Sequence, residues 1–152
     1  MTDSHCHLAD ETFGSDVADV VDRTRQSGVG GVLCVLEASD EEETARGDRV
    51  ATLWDAIRTT AGVHPHRAGA FAADAAAASR LVRSRLSADQ RACAVGEIGL
   101  DYHYQFAPPT VQQEVFARQI ELAAELGLPV VVHTREADDD TVRLLREHGL
   151  GR

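Results

Sequence analysis

Short apolar runs alternate along this chain with stretches in which apolar residues recur at helical spacing. The runs are typical of strands buried on both faces, and the stretches are typical of amphipathic helices. Strands are predicted over residues 2–7, 31–36, 57–63, 93–96 and 129–133. Helices are predicted over residues 15–27, 39–54, 72–86, 110–126 and 137–148. The pattern therefore predicts five consecutive βα units.

Polar residues and glycines mark the ends of several predicted helices. Ser39 and Glu42 have the spacing of a capping box, which favours a helix start. Thr110 and Gln113 have the same spacing before the fourth helix. In the last helix, we expect Val142 to face the sheet. Glycine is preferred just after a helix ends, and the predicted helix stops are Gly28, Gly127 and Gly149.

The spacing of the predicted strands indicates a parallel sheet. The strands begin roughly 30 residues apart, which leaves room for one crossover helix between consecutive strands. Helices packed on a parallel sheet define the α/β class. Two architectures fit, a doubly wound open sheet or part of a (β/α)8 barrel. A chain of 152 residues is predicted to form one domain, residues 1–152.

Candidate chemistry collects at the predicted strand ends. His5 and His7 close the first strand, and His133 ends the fifth. In parallel α/β folds, the carboxyl ends of the strands surround the functional site. Residues two apart on a strand point to the same face, so both imidazoles of the first pair can bind one ion. Cys6, between them, is expected to point away into the helix layer.

A carboxylate is also expected at this end of the sheet. Glu97 is predicted to end the fourth strand, and burying it unpaired would be costly, so it should meet a cation. Its two oxygens can bridge two ions, as in two-metal hydrolases. His64 and His66 follow the third strand and lie at the same end. The predicted metal site consists of His5, His7, Glu97 and His133.

Composition excludes some functions and leaves others open. The formal net charge of −10 argues against a histone-like or repressor-like binder, which needs a basic surface, but a metal site supplies its own positive charge. The three cysteines, Cys6, Cys34 and Cys93, form no CxxC pair, so neither a disulfide framework nor a zinc ribbon is indicated. Without a signal peptide or a membrane-length apolar run, a cytoplasmic protein is predicted.

Four ordered motifs resemble those of the TatD family of metal-dependent hydrolases, relatives of the amidohydrolases. They cover nearly the whole chain, and as an ordered set they are far more specific than the HxH element alone. The motifs are residues 3–8 (DSHCHL), 62–66 (GVHPH), 96–102 (GEIGLDY) and 128–137 (LPVVVHTREA), the last preceded by Gln113, Phe116 and Gln119.

The resemblance implies a role for each matched residue. His5 and His7 would hold a first metal ion, Glu97 would bridge two ions, and His133 would hold the second. Mg²⁺ is the ion that the family implies, although histidine with carboxylate also suits Zn²⁺ or Mn²⁺. The substrate phosphate would be faced by His64 and Arg135.

Three further histidines and a tyrosine are given other roles. Tyr102 could stack on a base, but packing is the stronger interpretation. The histidines interpreted as surface or loop residues are His66, His103 and His148.

The activity implied by the resemblance is that of a DNase. A metal-activated water would hydrolyse phosphodiester bonds, with single-stranded DNA degraded as a 3'-5' exonuclease substrate. Two other functions stay open at this point. One is hydrolysis of an ester or amide, as by a D-aminoacyl-tRNA deacylase. The other is a non-catalytic metal-binding fragment.

The resemblance also implies elements that the sequence does not contain. A complete barrel needs about 250 residues, and the family has a metal-binding histidine after strand six and a general-base aspartate near strand eight. We therefore expect an incomplete barrel that lacks its C-terminal units, a truncated chain with doubtful activity. Strands one and five would be open edges through which the chain could self-associate. No protein partner or membrane contact is indicated.

Overall fold

The computed structural model describes residues 1–104 and 106–149. Within them, strands and helices alternate along the chain, with 3-10 segments at Glu11–Phe13 and Pro65–Phe71. The strands are β1 (Thr2–Cys6), β2 (Gly31–Cys34), β3 (Ile57–Ala61), β4 (Ala92–Asp101) and β5 (Val130–Arg135). The α-helices are α1 (Val17–Gln26), α2 (Glu41–Ala51), α3 (Ala75–Ala88), α4 (Pro109–Leu126) and α5 (Asp138–Glu147).

The sheet order resolves the choice between the two predicted architectures. All neighbouring strands are parallel and follow the order of the chain, β1-β2-β3-β4-β5. A doubly wound sheet reverses its strand order at a switch point, whereas a barrel adds each new strand on the same side. The five strands therefore form half of a barrel, with β1 and β5 at the two ends of the sheet.

Two apolar clusters hold the helices on the sheet. The larger lies between β3–β5 and α3–α5, and Ile98, Leu100 and Phe116 are fully buried there. The smaller lies under the first two helices and includes Val21 and Ile57. Burying each such side chain contributes about 1.5–3 kcal/mol. Among the described residues, no helix combines the length and apolar character needed to cross a bilayer.

Strand β4 is longer than predicted, so Glu97 and Asp101 lie within the strand and not beyond its end. It continues through Glu97 to Asp101, whereas the sequence predicts a loop from Gly99 onwards. Glu97 therefore lies in the middle of the strand, and Asp101 ends it. The glycines at positions 96 and 99 let the backbone of β5 approach closely.

Helix starts also differ from the capping boxes that the sequence suggests. Asp40, not Ser39, caps α2, because its carboxylate accepts a hydrogen bond of 2.8 Å from the Glu43 N–H. α4 begins with Pro109 in its first turn and has no side-chain cap. Val142 is 45% exposed, so the expectation that it faces the sheet is wrong.

Two buried glutamines of α4 bind the backbone of neighbouring segments. The Gln119 side chain accepts from the Val63 N–H at 2.7 Å and donates to the Val63 carbonyl at 3.1 Å. The Gln112 side chain accepts from the Asp101 N–H at 2.8 Å and donates to the Asp101 carbonyl at 2.9 Å. Helix α4 thereby fixes the segment that precedes His64 and the end of β4.

Replacing Gln119 by leucine should destabilise the protein. The substitution keeps a side chain of similar size but leaves the buried Val63 N–H and carbonyl without partners, at about 1–3 kcal/mol for each group. We expect the free energy of unfolding, measured by urea denaturation, to fall by roughly 2–4 kcal/mol. Glu114→Leu, at an exposed position of the same helix, is the control. Equal stability of the two variants would contradict this role of Gln119.

Candidate metal centre

The first pair of histidines lies at the carboxyl end of β1. His5 and His7 point to the same side, with their Nε2 atoms 3.1 Å apart. Cys6 lies between them and packs against the smaller apolar cluster, and its thiol donates to the Leu33 carbonyl. The alternation along the strand therefore places both imidazoles at the mouth of the half-barrel, as predicted.

Glu97 reaches two groups of histidines from β4. Its Oε2 lies 3.5 Å from His5 Nε2, and its Oε1 lies 3.1 Å from His133 Nδ1. The Glu97 side chain is only 14% exposed. Burial alone would raise the pKa of Glu97. The hydrogen bond from His133, together with the electrostatic effect of His64 and His5, outweighs burial and lowers this pKa. The carboxylate is therefore held in its charged form.

His133, on β5, lies between two carboxylates. Its Nδ1 faces Glu97, and its Nε2 lies 3.1 Å from Asp101 Oδ2. The hydrogen bond to Glu97 raises the pKa of His133 above its usual value, with a further contribution from Asp101, although burial opposes the shift. One imidazole thus presents each of its nitrogens to a different acidic side chain.

His64 follows β3 and lies between the other histidines. Its ring centroid is 4.5 Å from that of His133 and 4.4 Å from that of His66. Burial, together with the charge of His133, lowers the pKa of His64 to about 4, so its imidazole is neutral near pH 7. Its Nδ1 accepts the His66 N–H at 3.2 Å, which leaves the ring proton on Nε2. Its backbone N–H donates to Glu37 at 2.9 Å.

Asp101 is a central residue of the site that the sequence does not single out. Its side chain is 1% exposed, and its Oδ2 accepts from His66 Nε2 at 2.7 Å and from His133. Its Oδ1 accepts the N–H groups of His103 and Tyr104 at 3.0 and 2.9 Å. Burial would raise the pKa of Asp101, but these hydrogen bonds lower it below the usual range. The sequence feature that could have identified Asp101 is its place as an acidic residue near the end of the third motif.

The interpretation of His66 as a surface or loop residue misses its contact with Asp101 in the site. It lies in the 3-10 segment after β3, where its ring is partly buried and bonded to Asp101. His103 is 43% exposed and agrees with that interpretation, whereas the side chain of His148 is only 24% exposed. They pair with the partly exposed carboxylates of Glu136 and Glu121, each at the periphery of the molecule.

The remaining predicted residues lie beside the histidines. Arg135 ends β5 and is exposed, with its guanidinium carbon 4.8 Å from the centroid of the Tyr104 ring. Tyr102 donates to Asp140 at 2.8 Å and accepts from Gln113 at 2.7 Å. The hydroxyl of Tyr102 is thus engaged between α4 and α5, which agrees with a packing role.

Three overlapping groups of side chains bring possible ligand atoms within 4.8 Å of one another among the described residues. They are His5–His7–Glu97, His64–Glu97–His133 and His66–Asp101–His133. The 3.1 Å between the Nε2 atoms of His5 and His7 fits two nitrogens bound to one ion at about 2.1 Å. The first group therefore has the chemistry and spacing of a metal site, and Glu97 connects it to the second.

Comparison with known proteins identifies the family of the chain. The model of the family described as "TatD related DNase" matches residues 2–152. The chain belongs to the TatD family. The metal-dependent hydrolase YabD of Bacillus subtilis, named as uncharacterized, is 34% identical over 149 residues, which are 98% of this chain and 56% of YabD. A Klebsiella pneumoniae protein named "3'-5' ssDNA/RNA exonuclease TatD" is 35% identical over 146 residues, 96% of this chain and 53% of that protein.

Solved TatD structures share the fold. The TatD homologue YjjV of Escherichia coli has a TM-score of 0.81 and 28% identity, covering 97% of this chain and 56% of YjjV. A TatD-family hydrolase from Entamoeba histolytica has a TM-score of 0.84 at 21% identity, covering 99% of this chain and 55% of that one. The chain spans about half the length of the curated relatives it matches.

Proposed function

We propose that this TatD-family protein is a metal-dependent phosphodiesterase that degrades single-stranded nucleic acid from the 3' end. The observation that carries the proposal is the position of Glu97. Its two oxygens lie 3.5 Å from His5 Nε2 and 3.1 Å from His133 Nδ1, so one carboxylate can serve two ions. His5, His7 and Glu97 would hold the first ion, and Glu97 with His133 would hold the second.

The types of ligand atom at the site are compatible with several divalent metal ions and do not select a single one. Histidine nitrogens with carboxylate oxygens suit Zn²⁺ and Mn²⁺ as well as the Mg²⁺ expected of the family. Such ions, when bound, would polarise a phosphate and lower the pKa of a water molecule at the site.

The protein's own side chains would hold and move the protons. To bind metal through Nδ1, His133 must lose the proton on that atom, while Asp101 keeps the proton on Nε2. Neutral His64 carries its ring proton on Nε2 and can donate it in a hydrogen bond to a phosphate oxygen. Arg135, at the same end of the sheet, would supply a permanent positive charge for the phosphate.

The nucleic-acid substrate is supported by the relatives. The protein from Klebsiella pneumoniae and others of 33–38% identity carry the name 3'-5' ssDNA/RNA exonuclease. The net charge of −10 gives no basic footprint for duplex binding, so the affinity would come from the local site.

The decisive experiment gives the purified protein single-stranded DNA labelled at the 5' end, in Mg²⁺, Mn²⁺ or Zn²⁺, with bound metal measured in parallel. We expect a ladder of labelled fragments that shorten from the 3' end, and little cleavage of the matching duplex. Hydrolysis of an aminoacyl-tRNA without cleavage of DNA would support an acyl hydrolase instead. Metal binding without hydrolysis of either substrate would contradict the catalytic proposal and indicate a non-catalytic metal protein.

Replacing Asp101 by asparagine should weaken metal binding. The variant keeps the size of the side chain but removes the charge that faces His66 and His133. Loss of such a partner to a ligating histidine costs about 10–100-fold in metal affinity. Titration with Mn²⁺ by calorimetry measures the change. Asp140→Asn removes a carboxylate that binds Tyr102 and Arg143 instead, and it should bind metal normally. Equal affinity of the two variants would refute this role.

A further inference from the structure

Two exposed aromatic rings follow β4. Tyr104 is 42% exposed and Phe106 is 62% exposed, and their ring centroids are 5.7 Å apart with a tilt of 40°. The other large apolar side chains that are exposed among the described residues are aliphatic: Met1, Leu53, Leu126 and Val142. Exposed aromatic surface beside a site is typical of ligand contact, because water solvates it poorly.

The rings are continuous with the candidate metal centre. The His66 ring lies 4.6 Å from Phe106 and 5.4 Å from Tyr104, measured between centroids. On its other side, His66 is 6.0 Å from the ring of His133 and bonds to Asp101. One imidazole therefore separates the exposed rings from a proposed metal ligand, so a ligand held at the centre would extend over them.

A cation borders the same surface. The Arg135 guanidinium lies over the Tyr104 ring, with its carbon 4.8 Å from the centroid, which is a cation–π contact. Flat apolar rings next to a guanidinium and a metal centre match the chemistry of a nucleotide, which combines a planar base with an anionic phosphate. A lipid chain or an aliphatic peptide has neither a planar ring to stack on these rings nor a phosphate to pair with the guanidinium.

We propose that Tyr104 and Phe106, supported by His66 and Arg135, form a stacking subsite for the nucleobase next to the phosphate that is cleaved. The inference rests on the proposed function and specifies how a single strand is held. Stacking of a base on an aromatic side chain contributes about 1–3 kcal/mol and tolerates any base, because every base has a π-face. The subsite would therefore favour unpaired nucleotides of any sequence, whereas a duplex keeps its bases stacked on each other.

The test compares two fluorescent oligonucleotides of equal length. One is oligothymidine, and the other carries two abasic residues at its 3' end. Equilibrium binding is measured by fluorescence anisotropy in EDTA, and hydrolysis is measured separately in Mn²⁺. We expect the protein to bind the base-bearing strand about 5–150-fold more tightly, the ratio that corresponds to 1–3 kcal/mol.

The double variant Tyr104→Ala/Phe106→Ala should reduce this ratio to near 1. The conservative variant Tyr104→Phe should preserve most of it, since the ring is retained. Leu126→Ala, which removes an exposed apolar side chain at the end of α4, should leave the ratio unchanged. A preference of the double variant equal to that of the unmodified protein, or a ratio near 1 in the unmodified protein, would overturn the proposal.

The two readouts separate this inference from the proposed function. Base-dependent binding that needs the two rings, but no hydrolysis in any metal, would support the subsite and reject the phosphodiesterase. Hydrolysis that is indifferent to the abasic residues, with binding equally indifferent, would reject the subsite alone. Failure to bind either strand in EDTA, together with no hydrolysis of either strand in Mn²⁺, would reject both.

Discussion

Glu97→Gln should abolish metal-dependent hydrolysis while the protein remains folded. The amide keeps the shape of the side chain, but it removes the charge that reaches both His5 and His133. Because both proposed ions share this carboxylate, we expect neither to bind at micromolar concentrations. The expected fall in kcat/KM on single-stranded DNA is on the order of 10³-fold or more, which corresponds to about 4 kcal/mol of transition-state stabilisation.

A second carboxylate at the same end of the sheet provides the control for Glu97. Glu136→Gln removes an exposed charge that pairs with His103 and contacts none of the three ligand groups. We expect this variant to bind metal and to hydrolyse DNA normally. Circular dichroism should show the same thermal transition for both variants in EDTA. Normal metal content in Glu97→Gln would contradict the proposed bridging role.

Gly99→Ala should destabilise the fold severely, although it adds only one methyl group. A Cβ at this position would lie 1.9 Å from the His133 carbonyl oxygen, and the backbone has a φ of +148°. Gly99 pairs directly with His133, so the clash would push β5 away from β4. We expect a loss of about 4 kcal/mol or more in the free energy of unfolding, measured by urea denaturation where the protein is soluble.

Gly28→Ala separates the effect of the clash from that of backbone conformation. Gly28 also has a positive φ, +87°, but nothing lies within 4 Å of the added Cβ. We expect this variant to lose only about 1 kcal/mol, the usual cost of placing alanine in that region. If Gly99→Ala were no less stable than Gly28→Ala, the close approach of β4 and β5 would not constrain the protein as the distances imply.

The sequence predicts the parallel sheet and the position of the first histidine pair well, because both depend on local periodicity. An i, i+2 pair on a strand must share a face, and parallel strands must present their carboxyl ends together. His5 and His7 therefore fall at the end of the first strand as expected, whereas His133, predicted to end the fifth strand, lies two residues before its end at Arg135. Helix starts were less predictable, since Ser39 and Asp40 are both good caps and only the three-dimensional structure distinguishes them.

The role of Asp101 could not be derived in the same way. Its burial depends on hydrogen bonds from His66 and His133, which are 35 and 32 residues away in the sequence. A buried aspartate without such partners would be strongly unfavourable, so the polar residue suggested a loop. The place of His66 in the site was missed for the same reason, because its contacts with Asp101 and with the His133 ring join residues far apart in the sequence.

The positions of two residues of the site depend on helix α4. Through Gln119 it holds the residue before His64, and through Gln112 it holds Asp101, which in turn orients His133. These contacts join the segment after β3 and the end of β4 to one helix. A local fluctuation that lifts α4 would therefore disturb the neutral histidine and the carboxylate-bound histidine at once. Intermediate geometries, with one half of the centre intact and the other displaced, would be rarely populated.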